Sequence, residues 1–404
     1  MSNILWRRWK SRRSSEMRTE RIKTCARVLA TALLVVAGSA CGGDTNDVAG
    51  ASPVKLFPIV KEGKWGYMDE KGKVVIEPQY DGAGDFSEGL AWVGKGLIRG
   101  YIDKTGTMVI KPRFGWSGSF HSGMAVVFGH RDGQPLGARV VDFYGDDVQM
   151  YQPQAGMYYV DRDGKVVEGR CSPADFSEGK ACFQRFCIGA DGKEIKHDAD
   201  DVKSFSEGLA AAKKSGKFGY IDHSMKWVIE PQFDLAGPFG DGLAAVAQSD
   251  PPAPTSGDYG SWRRSAKKLK WGYVDKSGKV VVPYSFPDAD RFSEGLAAVV
   301  PPADGQGAGG AVASGTGKKW GYVDKSGAMT VKPQFDYAWR FSEGLGRVLV
   351  GEKHGYVDKT GKMAIEPTVD TAWEFSKGLA RVGIGTDKEG YIGHDGKYVW
   401  EPTE

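Results

Sequence analysis

Histidine and cysteine are scarce in this chain, six and five in 404 residues. His121, His130, His197, His223, His354 and His394 stand singly in different stretches, and no Cys or His pair has zinc-type spacing. A structural zinc module is excluded, and we expect no metal. A strong net charge is also lacking. The chain carries +3, and its first 40 residues hold nine Lys and Arg against two Glu, so the remainder is near −4. Without a basic stripe there is no footprint for nucleic acid. One local basic run, Trp262 to Lys270, reads as a solvated loop. Catalytic signatures are missing too. Gly115-Trp116-Ser117-Gly118 lacks the full nucleophile elbow, and no glycine-rich phosphate loop precedes a helix. Asp161-Arg162-Asp163-Gly164 resembles part of a calcium loop but lacks the other ligands, so it reads as a turn. We expect no catalytic residue and no cofactor.

What is present is a repeat near 34 residues long. Its clearest copies run from Lys64 to Val93 and from Lys319 to Val348. Tyr67, Tyr101, Tyr220, Tyr273, Tyr322, Tyr356 and Tyr391 mark the Gly-Tyr step, and Tyr159 and Cys187 mark two weaker copies, making nine units. Such a period implies small blocks that bury apolar surface against their neighbours.

The residue chemistry selects strands over helices. Trp65 and Tyr67 alternate with Gly66 and Met68, and a β-branched run follows. Between them Asp-x-x-Gly, as in Asp69 to Gly72, suits a type I turn followed by a left-handed residue. Glu77-Pro78 and its equivalents are expected to end the pairing, because proline has no N–H for a ladder. Phe-Ser-Glu-Gly-Leu-Ala then recurs, with Phe86, Phe120, Phe176, Phe205, Phe239, Phe292, Phe341 and Phe375 as core rings. The expectation is an all-β fold of tandem antiparallel meanders, about three strands each, linked through the Phe-Ser-Glu-Gly corner. Nine units with uneven connections favour a curved open stack, with a closed propeller-like toroid as the alternative.

Lys-Trp-Gly-Tyr, Asp-x-x-Gly-Lys, Pro-Gln-Phe-Asp and Phe-Ser-Glu-Gly-Leu together resemble the bacterial WG-repeat family from Leu56 to the C-terminus. The resemblance implies a β-repeat protein, often of the envelope or secreted, with no shared catalytic residues. The tryptophan is replaced by Arg99, Phe218, His354 and Glu389 in some copies.

The N-terminus carries a separate signal. Arg18, Arg21, Lys23 and Arg27 precede an apolar run from Val28 to about Gly38, too short to span a bilayer, and small residues follow. Residues 1–40 therefore read as an extension plus secretory signal peptide, with Met17 an alternative start. Cys41 directly after the cleavage site resembles a bacterial lipoprotein signal, which implies lipid attachment there. The expected location is the cell envelope, on a bacterial membrane facing the periplasm or exterior, with secretion as the alternative. Residues 41–55 read as a flexible tether and 56–404 as the repeat array.

Three connections are swollen, at 129–156, 248–270 and 301–318, all between Leu-Ala-x-Val and the next Trp-Gly-Tyr. They should emerge on one side, the default binding face. Cys182 and Cys187 flank a short turn and could form a cross-strand disulfide, the alternative being two buried thiols. Trp65, Trp271 and Trp320 read as packing between units. Trp92, Trp116, Trp339 and Trp373 fall outside that position and are the candidate contact aromatics. The row Glu88, Glu178, Glu207, Glu294 and Glu343 reads as exposed turn carboxylates. The functional expectation is a non-enzymatic envelope module that binds protein or polysaccharide. The alternative is a glycan hydrolase or lyase with carboxylates from neighbouring units.

Overall fold

The computed structural model describes residues 54–130, 155–167, 174–249, 269–302, 318–385 and 388–403. The leader, Cys41, the tether up to residue 53, Cys171, the basic run up to residue 268 and most of the three insertions lie outside the described residues. No helix occurs among the described residues. They form nine small antiparallel sheets arranged in a ring: sheets 1 (56–80), 2 (82–114), 3 (116–167), 4 (180–195), 5 (201–233), 6 (235–286), 7 (288–335), 8 (337–369) and 9 (371–403).

Sheet 2 shows the pattern, with β4 (Gly82–Ala83), β5 (Leu90–Lys95), β6 (Ile98–Asp103) and β7 (Met108–Phe114) in that order. Sheet 1 has three strands, β1 (Leu56–Lys61), β2 (Lys64–Asp69) and β3 (Val74–Tyr80), and sheet 4 also has three. Each four-stranded sheet joins the second half of one sequence unit to the first half of the next. The expected meander was therefore out of phase. The reason lies in Phe-Ser-Glu-Gly, which does not link sheets. Glu88 and Gly89 both have positive φ, 52° and 82°, and Ser87 and Leu90 exchange two backbone hydrogen bonds. That is a type I′ hairpin inside the sheet. Except on either side of sheet 4, the step between sheets is a single residue, such as Asp81 between β3 and β4.

Two further expectations divide. The Asp-x-x-Gly turn is found as read: Gly72 N–H donates to the Asp69 carbonyl, and Asp69 Oδ1 accepts from Lys71 and Lys73 N–H. Asp161 makes the same contacts with Asp163 and Lys165, so it is a turn residue. Proline, however, does not end the strand. Pro78 sits within β3, and a register shift between Trp65 and Tyr67 accommodates it. As β3 is the last strand of its sheet, the missing N–H interrupts no ladder.

The first strands of neighbouring sheets touch, as 201–206 and 235–240 do, which places them at the hub and the last strands at the rim. Leu90 pairs with Asp103 and Lys95 with Ile98. One face of the ring therefore carries the Glu-Gly hairpins and Asp turns, and the other carries the hairpins between second and third strands. All three insertions interrupt that latter hairpin.

Of the two arrangements considered, the ring is the closed one. Tyr67 Oη donates to the Gly84 carbonyl at 2.9 Å, and the tyrosines of sheets 2, 3, 5, 6, 7 and 8 donate to the carbonyls of Gly118, Ala174, Gly237, Asp290, Trp339 and Trp373 in the following sheet. Tyr391 of sheet 9 donates to Pro58 of sheet 1, which joins the last sheet to the first. Each ring also packs on the next sheet's phenylalanine, as Tyr220 does on Phe239 at 4.8 Å, with Phe57 serving Tyr391. These buried, satisfied phenols are the repeated joint of the fold.

Candidate binding site at the hub

Most motif residues are used in joining sheets. Glu88 accepts from Gly123 N–H, Glu178 from Gly208, Glu207 from Gly242, Glu294 from Gly344 and Glu343 from Gly378. The glutamates lie in turns as expected, and Glu178, Glu207 and Glu343 are exposed, but each carboxylate also staples its hairpin to the next. In sheet 9 the same position is Lys377, because sheet 1 has no first strand to receive it; its Nζ reaches the Phe86 carbonyl of sheet 2 instead. On the opposite face, Asp234, Asp336 and Asp370 each take a lysine from the preceding sheet, Lys217, Lys319 and Lys353, and a backbone N–H from a hairpin of their own sheet.

Three of the four replaced tryptophans, all but Phe218 in the sheet of Ala211, share a packing pattern. The residue at x in Leu-Ala-x-Val lies beside the Trp position of the next strand. Where x is Ala245 or Ala298, each opposite a tyrosine, the Trp position two residues before that tyrosine holds Trp271 or Trp320. Where x is large, it does not: Arg99 lies 4.1 Å over Trp92, Arg381 pairs with Glu389, and where x is Arg347 the position holds His354. Trp320 is buried, and Trp65 and Trp271 pack against core clusters, so the repeated tryptophan is packing.

Sheet 4 is the exception. Cys187 replaces the tyrosine, pairs opposite Cys182 and is joined to it by a disulfide, while Phe183 lies opposite Phe186. Its joint to sheet 5 is apolar, formed by the cystine with Val202, Phe205 and Met225.

The four candidate aromatics fall in two groups. Trp92 and Trp116 are half-buried, Trp92 under Arg99 and Trp116 against the core of sheet 3. Trp339 lies in the first strand of sheet 8 and Trp373 follows that of sheet 9, and the structure brings these two into one wall. Rings run from Trp320 to Tyr337 (4.6 Å) to Trp339 (4.4 Å). The Arg347 guanidinium lies 3.9 Å over Trp339 and reaches Glu374 of sheet 9 at 3.5 Å. Arg381 lies 5.3 Å from Trp373 and 5.6 Å from Trp65. Burial pushes the Asp290 carboxyl up, as does Glu374, against the pull of Arg340 and Arg291. Asp288 is solvent-exposed, yet surrounding protein also pushes its carboxyl up.

Sequence reasoning missed Asp288, Asp290, Tyr337, Arg340, Arg347 and Glu374. Their signal was departure at fixed repeat positions: Asp290, Trp339 and Trp373 stand where other copies have Gly84, Gly118 and Gly237. Elsewhere, a crevice lined by His354, Tyr356, Glu366 and Tyr398 has a volume of about 50 Å³, far below sites that engulf small ligands, roughly 300–1,000 Å³. No cluster of three or more metal-ligating side chains exists among the described residues, and no helix there is long and apolar enough to cross a membrane.

No curated protein matches the chain. Among solved structures, a eukaryotic initiation factor superposes with a TM-score of 0.53 at 10% identity, over 87% of this chain and 98% of that one, a likeness of fold alone. BamB from Moraxella catarrhalis gives 0.35 at 10% identity over 89% and 94% of the two chains. The computationally designed Ika8 protein gives 0.38 at 10% over 79% and 95%. The family model for the WG containing repeat matches residues 65–96, 100–128, 200–218, 218–250, 271–300, 320–353 and 355–385. Those segments cover just over half the sequence, and with the nine-sheet ring they place this chain in the WG containing repeat family.

Proposed function

We propose that this chain is a non-enzymatic binding or scaffold module of the bacterial cell envelope, tethered to the membrane through lipid on Cys41 and holding an envelope protein or polysaccharide. The observation that carries the reading is positional. Insertions of different length and composition leave the ring at one repeated hairpin, so they share a face, while the opposite face carries the short Glu-Gly hairpins and Asp turns. Loops carried by a rigid frame are where recognition concentrates. The basic, apolar and small-residue run ahead of Cys41 supports the anchor. The test is to express the full chain and its Cys41→Ala variant with labelled palmitate. Label and membrane-fraction retention should be lost together in the variant, and a wild-type chain that stays unlabelled and soluble would refute the anchor. Binding is tested by retention of envelope polymers on immobilised full chain, with and without 303–317. The hydrolytic alternative would need two carboxylates from neighbouring units to converge. Turnover of a retained polysaccharide would favour it.

A further inference from the structure

We propose that the hub wall of sheets 7 to 9 is a binding site for a neutral polysaccharide, whose sugar rings stack on Tyr337 and Trp373 and whose hydroxyls bond Asp288, Asp290, Arg340 and Glu374. This rests on the binding-module reading and names its ligand.

Folding does not account for these residues. At the same positions of the first strand sheet 2 has Gly82 and Gly84 and sheet 6 has Leu235 and Gly237, and both sheets make the tyrosine joint. Large side chains there add nothing the joint needs. Tyr337 is 40% exposed and Trp373 37%, although aromatic rings elsewhere in the repeat are mostly buried. Trp373 is supported beside Arg381, and Tyr337 is held against both Trp320 and Trp339 while part of its ring still faces water. Two supported, water-facing rings on adjacent sheets offer two stacking points, which suits an oligosaccharide better than a single sugar.

The polar groups point to the same chemistry. Asp288, Asp290 and Glu374 accept hydrogen bonds, and Arg291, Arg340 and Arg347 donate them. Three carboxylates beside three guanidiniums leave no net field to select a cation or an anion. A hydroxyl both donates and accepts, so a neutral polyol can use both kinds of partner at once. Peptide side chains would need apolar slots, and this wall has half-buried charge in their place.

The experiment is calorimetric titration of the full chain in detergent with cellohexaose, maltohexaose and chitohexaose, beside poly-lysine and an oligogalacturonate as charged comparators. At least one neutral hexaose should bind, and Trp373→Ala and Tyr337→Ala should each weaken it about tenfold. Both side chains are exposed, so truncation should leave the melting temperature unchanged; Trp271→Phe, outside the wall, should bind as wild type. Failure of all three hexaoses overturns the inference, as does binding that survives the double Tyr337→Ala/Trp373→Ala variant. If immobilised chain retains an envelope protein or charged polymer regardless of these substitutions, the hub assignment fails while the module reading stands. If a hexaose binds and is cleaved, the site stands and the non-enzymatic reading fails.

Discussion

The phenol of Tyr391 donates a 2.9 Å hydrogen bond to the carbonyl of Pro58, 333 residues away in sequence. In sheet 2 the matching carbonyl, that of Trp92, accepts the N–H of Gly84 from the first strand. Sheet 1 has no first strand, so a side chain from sheet 9 takes its place, and Thr403 Oγ1 does the same at the Val60 carbonyl. Tyr391→Phe should therefore leave a buried carbonyl unsatisfied, at about 1–2 kcal/mol. Hydrogen exchange should rise first at Leu56–Lys61. Unchanged exchange in that strand would show that the seam is held by something else.

The packing rule at the tryptophan position is testable by exchange between copies. Arg381→Ala alone strands Glu389, which is half-buried, and should destabilise by about 2–3 kcal/mol. Arg381→Ala with Glu389→Trp rebuilds the Ala245/Trp271 combination and should recover most of the loss. Additive effects in chemical denaturation would refute compensation.

Glu207 combines a staple with an unfavourable backbone. Its φ is 55°, and its carboxylate accepts from Gly242 N–H and pairs with Lys276. Glu207→Ala loses the bonds and keeps the strain, whereas Glu207→Gly loses the bonds but relaxes the backbone. Thermal melts should rank wild type above Gly, and Gly above Ala. A Gly variant less stable than Ala would contradict this.

Sheet 4 should respond to reductant. The Cys182–Cys187 bond closes a five-residue separation, which corresponds to roughly 2 kcal/mol. Dithiothreitol should lower the melting temperature of the wild type and leave a Cys182→Ser/Cys187→Ser double variant unaffected. Equal shifts in both would exclude the bond as the cause.

Acid should weaken the ring through its lysine-paired aspartates. In Asp336 and Asp370 the Lys319 or Lys353 hydrogen bond, with a hairpin N–H, holds the carboxyl below its ordinary range. Burial raises Asp234, but Lys217 and Ser249 outweigh it and hold it low as well. A lowered folded value means the contribution is complete above the ordinary aspartate pKa of about 3.9 and disappears as pH falls from there through the folded value. Asp290 and Asp288 act oppositely: their raised values mean that protonation relieves a cost before that window is reached. The melting temperature should hold or rise slightly on mild acidification and then drop. Asp336→Asn with Asp370→Asn should flatten the drop, and an unchanged drop would assign it elsewhere.

Local order was readable from residues because its causes are local. Asp69 to Gly72 specifies its turn through one carboxylate and one positive-φ glycine, and the alternation around Tyr67 specifies a strand. Phase was not readable, because a period shows its length but not where a unit begins. Only the positive φ of Glu88, a residue type that seldom adopts it, reveals the hairpin. Closure was hidden for a similar reason: the partner of Tyr391 is a backbone carbonyl, which has no sequence signature. At the hub Trp339 and Trp373 stood out as side chains, whereas Asp290 and Glu374 gained meaning only when sheets 7 and 9 were brought together.

The half-unit offset described above bears on how such a chain can change length. Every blade is spliced from two consecutive stretches of sequence, so excising or duplicating one stretch of about 34 residues rejoins like ends anywhere along the circle and leaves no ragged half. Blade number can thus drift by whole steps, and the circumference needs only to reseal at the single uncrossed joint between the last tyrosine and the first strand.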